Sequence, residues 1–388
     1  MFVRGDFVRV LRRLLRDWPT VRRRLADVDT VITRQRHSIA PHFPMLIQPQ
    51  PRLLTVAITA KCNLRCIGCR YGRDFMPGQQ LPLKLVVDLL HDAKAAGFQK
   101  VRLYGGEPLL HRDLPKMIQV ARGLGLIPYV TTNAVLLGEK IDELYDAGLR
   151  SLTIGFYGTH GSYDQYVQRA DSYDKMERGV ARVRERHGMD VQMQINYLLS
   201  KQSCSLRSLN EALNFCKRYQ TQFQVDIVHY SLPYFTEGVD RELQFTLADR
   251  ERLEQIVGEL LKFKEDHRDL YLEPAPSIRS ISDWAMKGPA MRVPCTAYRL
   301  IWVGADGTVQ LCYVTFKLGN LHETRLRDLL FTPEHRQASR DAFALKCPNC
   351  HCERDSRVLT HAASQREYSR SPATASVRGV NLGIDSGA

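Results

Sequence analysis

The stretch Lys61–Gly72, KCNLRCIGCRYG, decides the fold because it places three cysteines directly after a strand-like run, Leu54–Thr59. Cys62, Cys66 and Cys69 follow the spacing C-x3-C-x2-C. Thiolates are good ligands for iron–sulfur clusters and for zinc. A structural zinc site is normally closed by four ligands, and no fourth Cys or His lies nearby in the sequence. Three thiolates on a four-iron cluster leave one iron open, so the motif predicts a cluster with a working coordination position.

Around this stretch, β-rich runs alternate with amphipathic helical runs. The β-rich runs are Leu54–Thr59, Lys100–Tyr104, Ile127–Thr132, Ser151–Tyr157, Val191–Leu199 and Gln222–Tyr230. The helical runs are Leu83–Ala96, Leu114–Gly123, Lys140–Ala147, Tyr173–Arg186, Leu206–Tyr219 and Leu247–Phe263. Six β-α units in series predict an α/β fold with a parallel sheet, either an open doubly wound sheet or a full or partial barrel. In both folds the chemistry gathers at the carboxyl ends of the strands.

Composition narrows the class of protein. The chain has 388 residues, 44% of them hydrophobic, and no apolar run long enough to span a membrane. It lacks the apolar core of a secretory signal, so we expect a cytoplasmic protein whose ten cysteines are ligands or core residues rather than disulfides. The net charge is +13 and is concentrated in the first 36 residues, which we interpret as a solvated helix with an apolar stripe from Phe7 to Leu15. No nucleic-acid partner is expected.

Five segments are predicted. Residues 1–50 form a basic helical segment, 51–265 the β-α domain, 266–289 a linker, 290–352 a short cysteine-rich unit and 353–388 a polar tail without packed structure.

The order of two motifs resembles the radical S-adenosylmethionine (SAM) superfamily. C-x3-C-x2-C follows the first predicted strand, and Gly105-Gly106-Glu107 follows the second. The resemblance implies a partial (β/α)6 barrel of the TIM type and a [4Fe-4S] cluster whose open iron binds SAM. Reductive cleavage of SAM would then give a 5′-deoxyadenosyl radical that abstracts hydrogen from a substrate. It also implies an electron donor such as flavodoxin or ferredoxin.

The resemblance also suggests residues that bind SAM. These are Gly105, Gly106, Glu107, Thr131, Thr132, Asn133 and Arg169. Two positions depart from the family pattern. Gly68 stands where an aromatic residue usually packs near adenine, which Tyr71 or Ile67 would replace. The fourth strand ends in GFYG instead of a sequence like SLDG, which would place Tyr157 in the substrate pocket as a speculative catalytic residue, or in the barrel lining as a structural one.

A second group of cysteines lies near the C-terminal end. Asp306-Gly307 predicts a hairpin turn that brings Cys295 near Cys312, and the segment CPNCHC adds Cys347, Cys350 and Cys352. Four thiolates suit one auxiliary [4Fe-4S] cluster, although zinc also takes four cysteines. The unit resembles the SPASM/twitch extension, and five cysteines fit the single-cluster twitch form. One thiol, Cys350 or Cys352, is then spare. Cys352 is accordingly a ligand, a speculative catalytic hydrogen-atom donor or an inert thiol.

The sequence favours a small-molecule substrate. Enzymes with such extensions act either on hydroxylated metabolites (sugars, aminocyclitols, nucleosides) or on peptides of ribosomal natural products. Peptide-modifying enzymes often carry a leader-binding domain, and we expect the roughly 50 residues before the first strand to be too short for one. We therefore expect oxidation, epimerisation or rearrangement of a small biosynthetic intermediate. His229, Tyr230 and Tyr234, near the end of the sixth strand, are further candidates for lining the pocket. The alternatives are a peptide crosslinking enzyme and a non-catalytic electron-transfer protein.

Overall fold

The computed structural model describes residues 19–71, 76–229, 242–313 and 315–370, and side chains from residue 28 onward. The strands are β1 Leu53–Thr59, β2 Lys100–Gly105, β3 Ile127–Thr132, β4 Ser151–Phe156, β5 Gln192–Leu199, β6 Gln222–Ile227, β7 Leu300–Val303, β8 Thr308–Gln310 and β9 Lys317–Asn320. The helices up to β7 are α1 Pro19–Ile39, α2 Leu83–Ala95, α3 Leu114–Gly123, α4 Leu137–Asp146, α5 His160–Val167, α6 Ser172–His187, α7 Leu206–Tyr219, α8 Arg250–Asp266, α9 Ala275–Arg279 and α10 Ile281–Lys287. The helices after β9 are α11 Leu326–Leu329, α12 Pro333–Phe343, α13 Arg354–Thr360 and α14 Ala362–Ser369.

The strands of the described ranges form one sheet in the order β6-β5-β4-β3-β2-β1-β7-β8-β9. The first six are parallel to their neighbours, and each is reached through a crossover that contains a helix. This confirms the predicted α/β fold with a parallel sheet. All six strands contribute to the wall of one cavity, so the sheet curls around it as a partial barrel.

The two faces of the curled sheet differ in polarity. Its outer face is apolar and packs on the helices, as Leu54, Val56 and Ile58 of β1 do in the main core. The alternate side chains of β2 to β6 point inward and are mostly polar. Examples on the cavity wall are Arg102, Thr131, Thr153, Gln194, Gln224 and Asp226. The barrel interior is therefore a cavity of about 1420 Å³ with these polar groups on its wall, instead of a packed core.

The cysteine-rich unit spans the open side of this barrel. Its strand β7 pairs in parallel with β1, with Leu53 opposite Leu300, and the predicted hairpin turn leads into the antiparallel strand β8. At the other edge of the barrel, His351 Nε2 lies 3.6 Å from Asp226 Oδ1 at the end of β6. The unit therefore joins the two edges of the partial barrel.

Two segments that were predicted to lack packed structure, the linker and the start of the tail, contain packed helices. The predicted linker 266–289 contains α9 and α10, and Trp284 of α10 is completely buried. The predicted unpacked tail forms α13 and α14 up to residue 369, with Val358 and Tyr368 buried. Both segments are rich in polar residues, but each contributes a few apolar side chains to the core, which the average composition conceals. The remainder of the tail, from residue 371, lies outside the described residues.

The basic N-terminal segment is described only from residue 19. Helix α1 packs on the cysteine-rich unit, where Arg34 Nε donates to the Leu359 carbonyl at 3.0 Å and His37 Nε2 lies 2.7 Å from the Tyr298 hydroxyl. The predicted apolar stripe from Phe7 to Leu15 lies outside the described residues. Within the described part of the chain, no helix is both long and apolar enough to cross a membrane.

Candidate active site

The loop with the first three cysteines leaves the C-terminal end of β1 and is held by the end of helix α5. The amide of Arg65 donates to the Val167 carbonyl at 3.2 Å, and the amide of Ile67 donates to the Tyr166 carbonyl at 2.9 Å. The Arg169 guanidinium donates to the Asn63 carbonyl at 2.9 Å. Arg169 therefore anchors the cysteine loop in this structure, and it is absent from the cavity wall in the described ranges.

The thiols of this loop suit an iron–sulfur cluster. Cys62, Cys66 and Cys69 all line the barrel cavity. The Leu64 amide points at Cys62 Sγ from 3.4 Å, and Asn133 Nδ2 lies 3.9 Å from the same sulfur. Hydrogen bonds to the sulfurs are one of the means by which proteins tune such clusters. The donor set is three thiolates on a loop open to the cavity, which fits a four-iron cluster with one iron facing the cavity.

Gly105 and Gly106 lie where the end of β2 comes very close to the backbone after β1, so a side chain would not fit at either position. The Gly106 amide donates to the Thr59 carbonyl and the Glu107 amide donates to the Lys61 carbonyl, both at 2.8 Å. A Cβ at Gly105 would lie 2.0 Å from the Thr59 oxygen, and one at Gly106 would lie 2.3 Å from the Lys61 oxygen. Gly105 also has a φ of 143°, which residues with a side chain rarely adopt. These glycines therefore fix the cysteine loop against the end of β2.

Glu107 is completely buried and ties the end of β2 to the end of β3. Its carboxylate accepts hydrogen bonds from the Leu109 amide at 2.9 Å, the Thr132 hydroxyl at 2.7 Å and the Asn133 amide at 2.8 Å. Burial raises the pKa of Glu107 to about 7, while these donors favour the ionised form. In this structure the carboxylate of Glu107 holds Thr132 and Asn133 at the mouth of the cavity.

The other predicted SAM-site residues line the cavity at the strand ends. Thr131, Thr132 and Asn133 are on its wall together with Gly105 and Gly106. Asn133 Nδ2 donates to Asn63 Oδ1 of the cysteine loop at 2.8 Å. The geometry therefore brings these predicted residues together around the three cysteines.

Two tyrosines fill the space beside Gly68. The Tyr157 ring stacks on the Tyr166 ring with centroids 4.8 Å apart, and both rings line the cavity. A Cβ at Gly68 would lie 2.8 Å from the Tyr166 hydroxyl, so the small residue makes room for that ring. Tyr166, on α5, therefore supplies an aromatic surface where the sequence lacks one. No local sequence pattern indicates this role for Tyr166, because Gly68 and Tyr166 are far apart along the chain.

All five C-terminal cysteines line a second, smaller cavity. The thiols of Cys295, Cys312, Cys347, Cys350 and Cys352 share its wall with Tyr313, Glu353 and Arg357. The Ala297 amide points at Cys295 Sγ from 3.4 Å. These five thiols are enough for the four ligands of the predicted auxiliary cluster and one spare thiol.

Cys350 and Cys352 interact directly. A hydrogen bond from the Cys352 thiol lowers the pKa of Cys350 to about 6, and the same contact raises the pKa of Cys352. Cys352 also lies on the wall of the barrel cavity, with its sulfur 4.0 Å from His229 Nε2. Cys352, Tyr313 and Glu353 are common to both cavities, so they form the partition between them.

Arg357, a residue of the predicted tail, lines the small cavity and holds part of its wall in place. Its guanidinium is completely buried, lies 4.6 Å from the centre of the Trp284 ring and donates to the carbonyls of Cys350 and Val293. It also donates to Asn349 Oδ1 at 3.1 Å. Arg357 thus holds the CPNCHC segment against the residues that precede Cys295.

Replacing Arg357 with methionine should destabilise the protein strongly. The change keeps most of the volume but leaves three buried acceptors without their donor, each costing about 1–3 kcal/mol. We expect a loss of about 3 kcal/mol or more, measured anaerobically as a thermal midpoint lowered by about 5 °C. The matched control is Arg366→Met on the exposed face of α14, which should change stability by no more than about 0.5 kcal/mol. Equal midpoints for the two variants would contradict the role of Arg357.

Comparison with known proteins matches both parts of this arrangement. Residues 56–200 match the Radical SAM superfamily, and residues 295–352 match SPASM, an iron-sulfur cluster-binding domain. The chain therefore contains a radical SAM domain. It carries its SPASM domain at the C-terminal end, with boundaries that coincide with Cys295 and Cys352. A radical SAM domain implies a [4Fe-4S] cluster and SAM, and the SPASM domain implies auxiliary iron–sulfur binding.

Curated relatives match about a third of the chain. A GTP 3′,8-cyclase of Listeria welshimeri is 33% identical over 140 residues, which are 34% of this chain and 41% of that protein. A probable GTP 3′,8-cyclase of Archaeoglobus fulgidus is 30% identical over 132 residues, which are 34% of this chain and 44% of that protein. The radical SAM chain thus spans about two fifths of the length of these relatives.

Solved structures support the fold of the whole arrangement. Streptococcus suis SuiB bound to precursor peptide SuiA superposes with a TM-score of 0.59 at 19% identity, covering 79% of this chain and 70% of SuiB. Native anSMEcpe with bound AdoMet superposes with a TM-score of 0.59 at 17% identity, covering 82% of this chain and 96% of that one. At such identities the similarity establishes the radical SAM fold and leaves the substrate open.

Proposed function

We propose that this radical SAM enzyme acts on a small hydroxylated biosynthetic intermediate, such as a sugar, an aminocyclitol or a nucleoside. The net reaction would be an oxidation, an epimerisation or a rearrangement. The observation that carries this proposal is the polar inner face of the barrel, where strands β2 to β6 present hydrogen-bonding side chains to the cavity. Polyhydroxylated molecules are recognised by such converging polar groups. A cavity of about 1420 Å³ exceeds the roughly 300–1,000 Å³ of a single ligand site, so it has room for SAM and a substrate together.

Residue roles follow from position. Cys62, Cys66 and Cys69 would hold the SAM cluster, while Gly105, Gly106, Thr131, Thr132 and Asn133 would contact SAM. Tyr166 would offer its ring to adenine, and Glu107 and Arg169 would keep the strand ends and the cysteine loop in place. When bound, the cluster and SAM supply the 5′-deoxyadenosyl radical, and a small reducing protein such as flavodoxin or ferredoxin would supply the electron.

The second cysteine group would hold one auxiliary cluster, as in the twitch form. Cys295, Cys312 and Cys347 would be three of its ligands. Cys350 is the better fourth ligand because it lines the small cavity alone, whereas Cys352 also lines the barrel cavity. Cys352 would then keep its hydrogen and face the barrel cavity, where it could donate a hydrogen atom to a substrate radical. Tyr157 would shape the pocket beside it.

The names of the comparison proteins favour two different substrates. The curated relatives are named for a reaction on GTP, which is a small nucleotide. SuiB is described as bound to a precursor peptide, which makes a peptide the alternative. We favour the small molecule because the auxiliary unit pairs with β1 at one edge of the barrel and contacts the end of β6 at the other, and so covers the open side between them.

An anaerobic assay in deuterated water tests both the substrate class and the role of Cys352. Reconstituted enzyme with SAM and dithionite is incubated with sugars, aminocyclitols, nucleosides or synthetic peptides, and products are analysed by mass spectrometry. We expect 5′-deoxyadenosine together with a changed small molecule. If the product is an epimer, it should carry one deuterium, because a thiol hydrogen exchanges with solvent.

Matched thiol variants complete this experiment. In the Cys352→Ala variant, the deuterium incorporated into the product should fall by at least about tenfold. Cys204 is a buried cysteine near α7, and its replacement by alanine should leave deuterium incorporation unchanged. A modified peptide with no small-molecule product would overturn the proposed substrate class. Unchanged deuterium incorporation in Cys352→Ala would overturn the role of that thiol.

A further inference from the structure

Three side chains of metal-binding type converge on the wall of the barrel cavity, outside the two groups of cysteines. Asp226 lies near the end of β6, His229 follows three residues later, and His351 lies between Cys350 and Cys352. One carboxylate oxygen and two imidazole nitrogens lie within 4.8 Å of one another. All three residues line the cavity. They come from two parts of the chain that meet only because the SPASM domain crosses to β6.

The surroundings of the three side chains are ordered. The two imidazole rings stack with centroids 4.2 Å apart and an interplanar angle of 29°. Asp226 uses its two oxygens differently, since Oδ2 accepts a hydrogen bond from Asn196 Nδ2 at 3.2 Å while Oδ1 faces His351 Nε2 at 3.6 Å. A carboxylate that binds a metal is commonly held by a hydrogen-bond donor outside the site, and Asn196 is such a donor for Asp226.

We propose that Asp226, His229 and His351 bind one divalent transition metal ion, of the zinc or iron(II) class. Two imidazoles and one carboxylate form a common ligand set for these ions. Magnesium and calcium prefer oxygen ligands throughout, which this site lacks. Donors at about 2.1 Å from one tetrahedral ion lie about 3.4 Å apart, so each donor atom would have to move by less than about 1 Å to bind the same ion.

The ion would face the cavity with an open coordination position. Three protein ligands leave at least one position for water or for an oxygen of a bound molecule. The site adjoins the auxiliary cavity, because Cys352 Sγ lies 4.0 Å from His229 Nε2. A substrate oxygen bound there would be fixed close to the partition between the two cavities. Binding of the ion itself does not depend on the identity of the substrate.

Zinc binding by the intact enzyme tests the proposal. The enzyme is loaded anaerobically with its clusters, freed of loose metal with EDTA and dialysed against dilute zinc, and both metals are then measured by mass spectrometry. We expect about one zinc per chain in addition to about eight iron. His229→Gln and Asp226→Asn should each weaken zinc binding by at least about tenfold. His322→Gln, an exposed histidine of the SPASM domain, is the matched control and should bind zinc like the wild type.

The outcomes separate this site from the rest of the enzyme. Wild-type protein without zinc, or equal zinc in wild type and in His229→Gln, would overturn the proposal. If a variant also loses iron, its zinc content cannot be compared with that of the wild type. In that case cobalt(II) is added to the wild-type enzyme as a spectroscopic probe of the same site. Pulsed EPR should then show couplings from two imidazole nitrogens, and their absence would overturn the site. None of these results depends on product formation, so the proposed substrate class stands or falls separately.

Discussion

Replacing Cys62, Cys66 or Cys69 with alanine should abolish the formation of 5′-deoxyadenosine, a loss of at least about 10³-fold. The three thiols line the cavity on one loop, and in the described ranges no other Cys or His shares that loop. Removing one ligand leaves two for the cluster, which cannot then present an open iron to SAM in a fixed position. The assay is chromatography of 5′-deoxyadenosine after anaerobic incubation with SAM and dithionite.

Cys216→Ala is the matched control for these variants. Cys216 is completely buried on the apolar face of α7, where the structure confirms the predicted core position. Its loss removes one sulfur from the core and should cost about 1 kcal/mol without affecting SAM cleavage. Wild-type amounts of 5′-deoxyadenosine from the triple variant of the cysteine loop would contradict the assignment of the cluster site.

Replacing Cys347 and Cys350 together with alanine should uncouple radical formation from product formation. These thiols line the small cavity, which Tyr313, Cys352 and Glu353 separate from the barrel. The cysteine loop at β1 is untouched, so SAM cleavage should continue while product falls by at least about 10²-fold. Iron should fall from about eight to about four per chain, which analysis of iron and sulfide measures.

Before its activity is measured, the double variant has to be shown to fold like the wild type. Loss of a bound cluster also removes binding energy from the fold, so circular dichroism and retention of four iron are checked before activity. Cys204→Ala, buried outside both cavities, serves as the control. Normal product formation by a folded double variant would show that the SPASM domain is only structural. Four iron and one zinc in the wild type would contradict the auxiliary cluster itself.

The sequence predicted the barrel well because its signals are local. Each of the six strands and the six main helices has its own hydrophobic period, and most predicted ends lie within one or two residues of the observed ones. The cysteine loop and the Gly-Gly-Glu motif were located for the same reason, since each follows a strand end. The inward-facing polar side chains were also present as the alternate residues of β5, Gln192, Gln194 and Asn196.

Relations between distant segments could not be predicted in this way. Glu107 was expected at SAM, but its carboxylate is used by Thr132 and Asn133 of the next strand. Arg357 lies in a polar stretch whose average composition indicates disorder, yet that single arginine organises the auxiliary cavity. The pairing of Asp226 with His351 depends on how the SPASM domain crosses the barrel, for which no short motif exists.

The parallel pairing of β1 with β7 has a consequence for synthesis on the ribosome. The strand that carries the cysteine loop is the first of the sheet to be made, but its second neighbour follows roughly 250 residues later. Until then one side of β1 has unpaired amide and carbonyl groups, which can pair with other chains. Contacts between such distant segments also form slowly. The barrel and the SPASM domain are therefore separate in sequence, but the sheet is complete only after the SPASM domain has been made and has paired with β1.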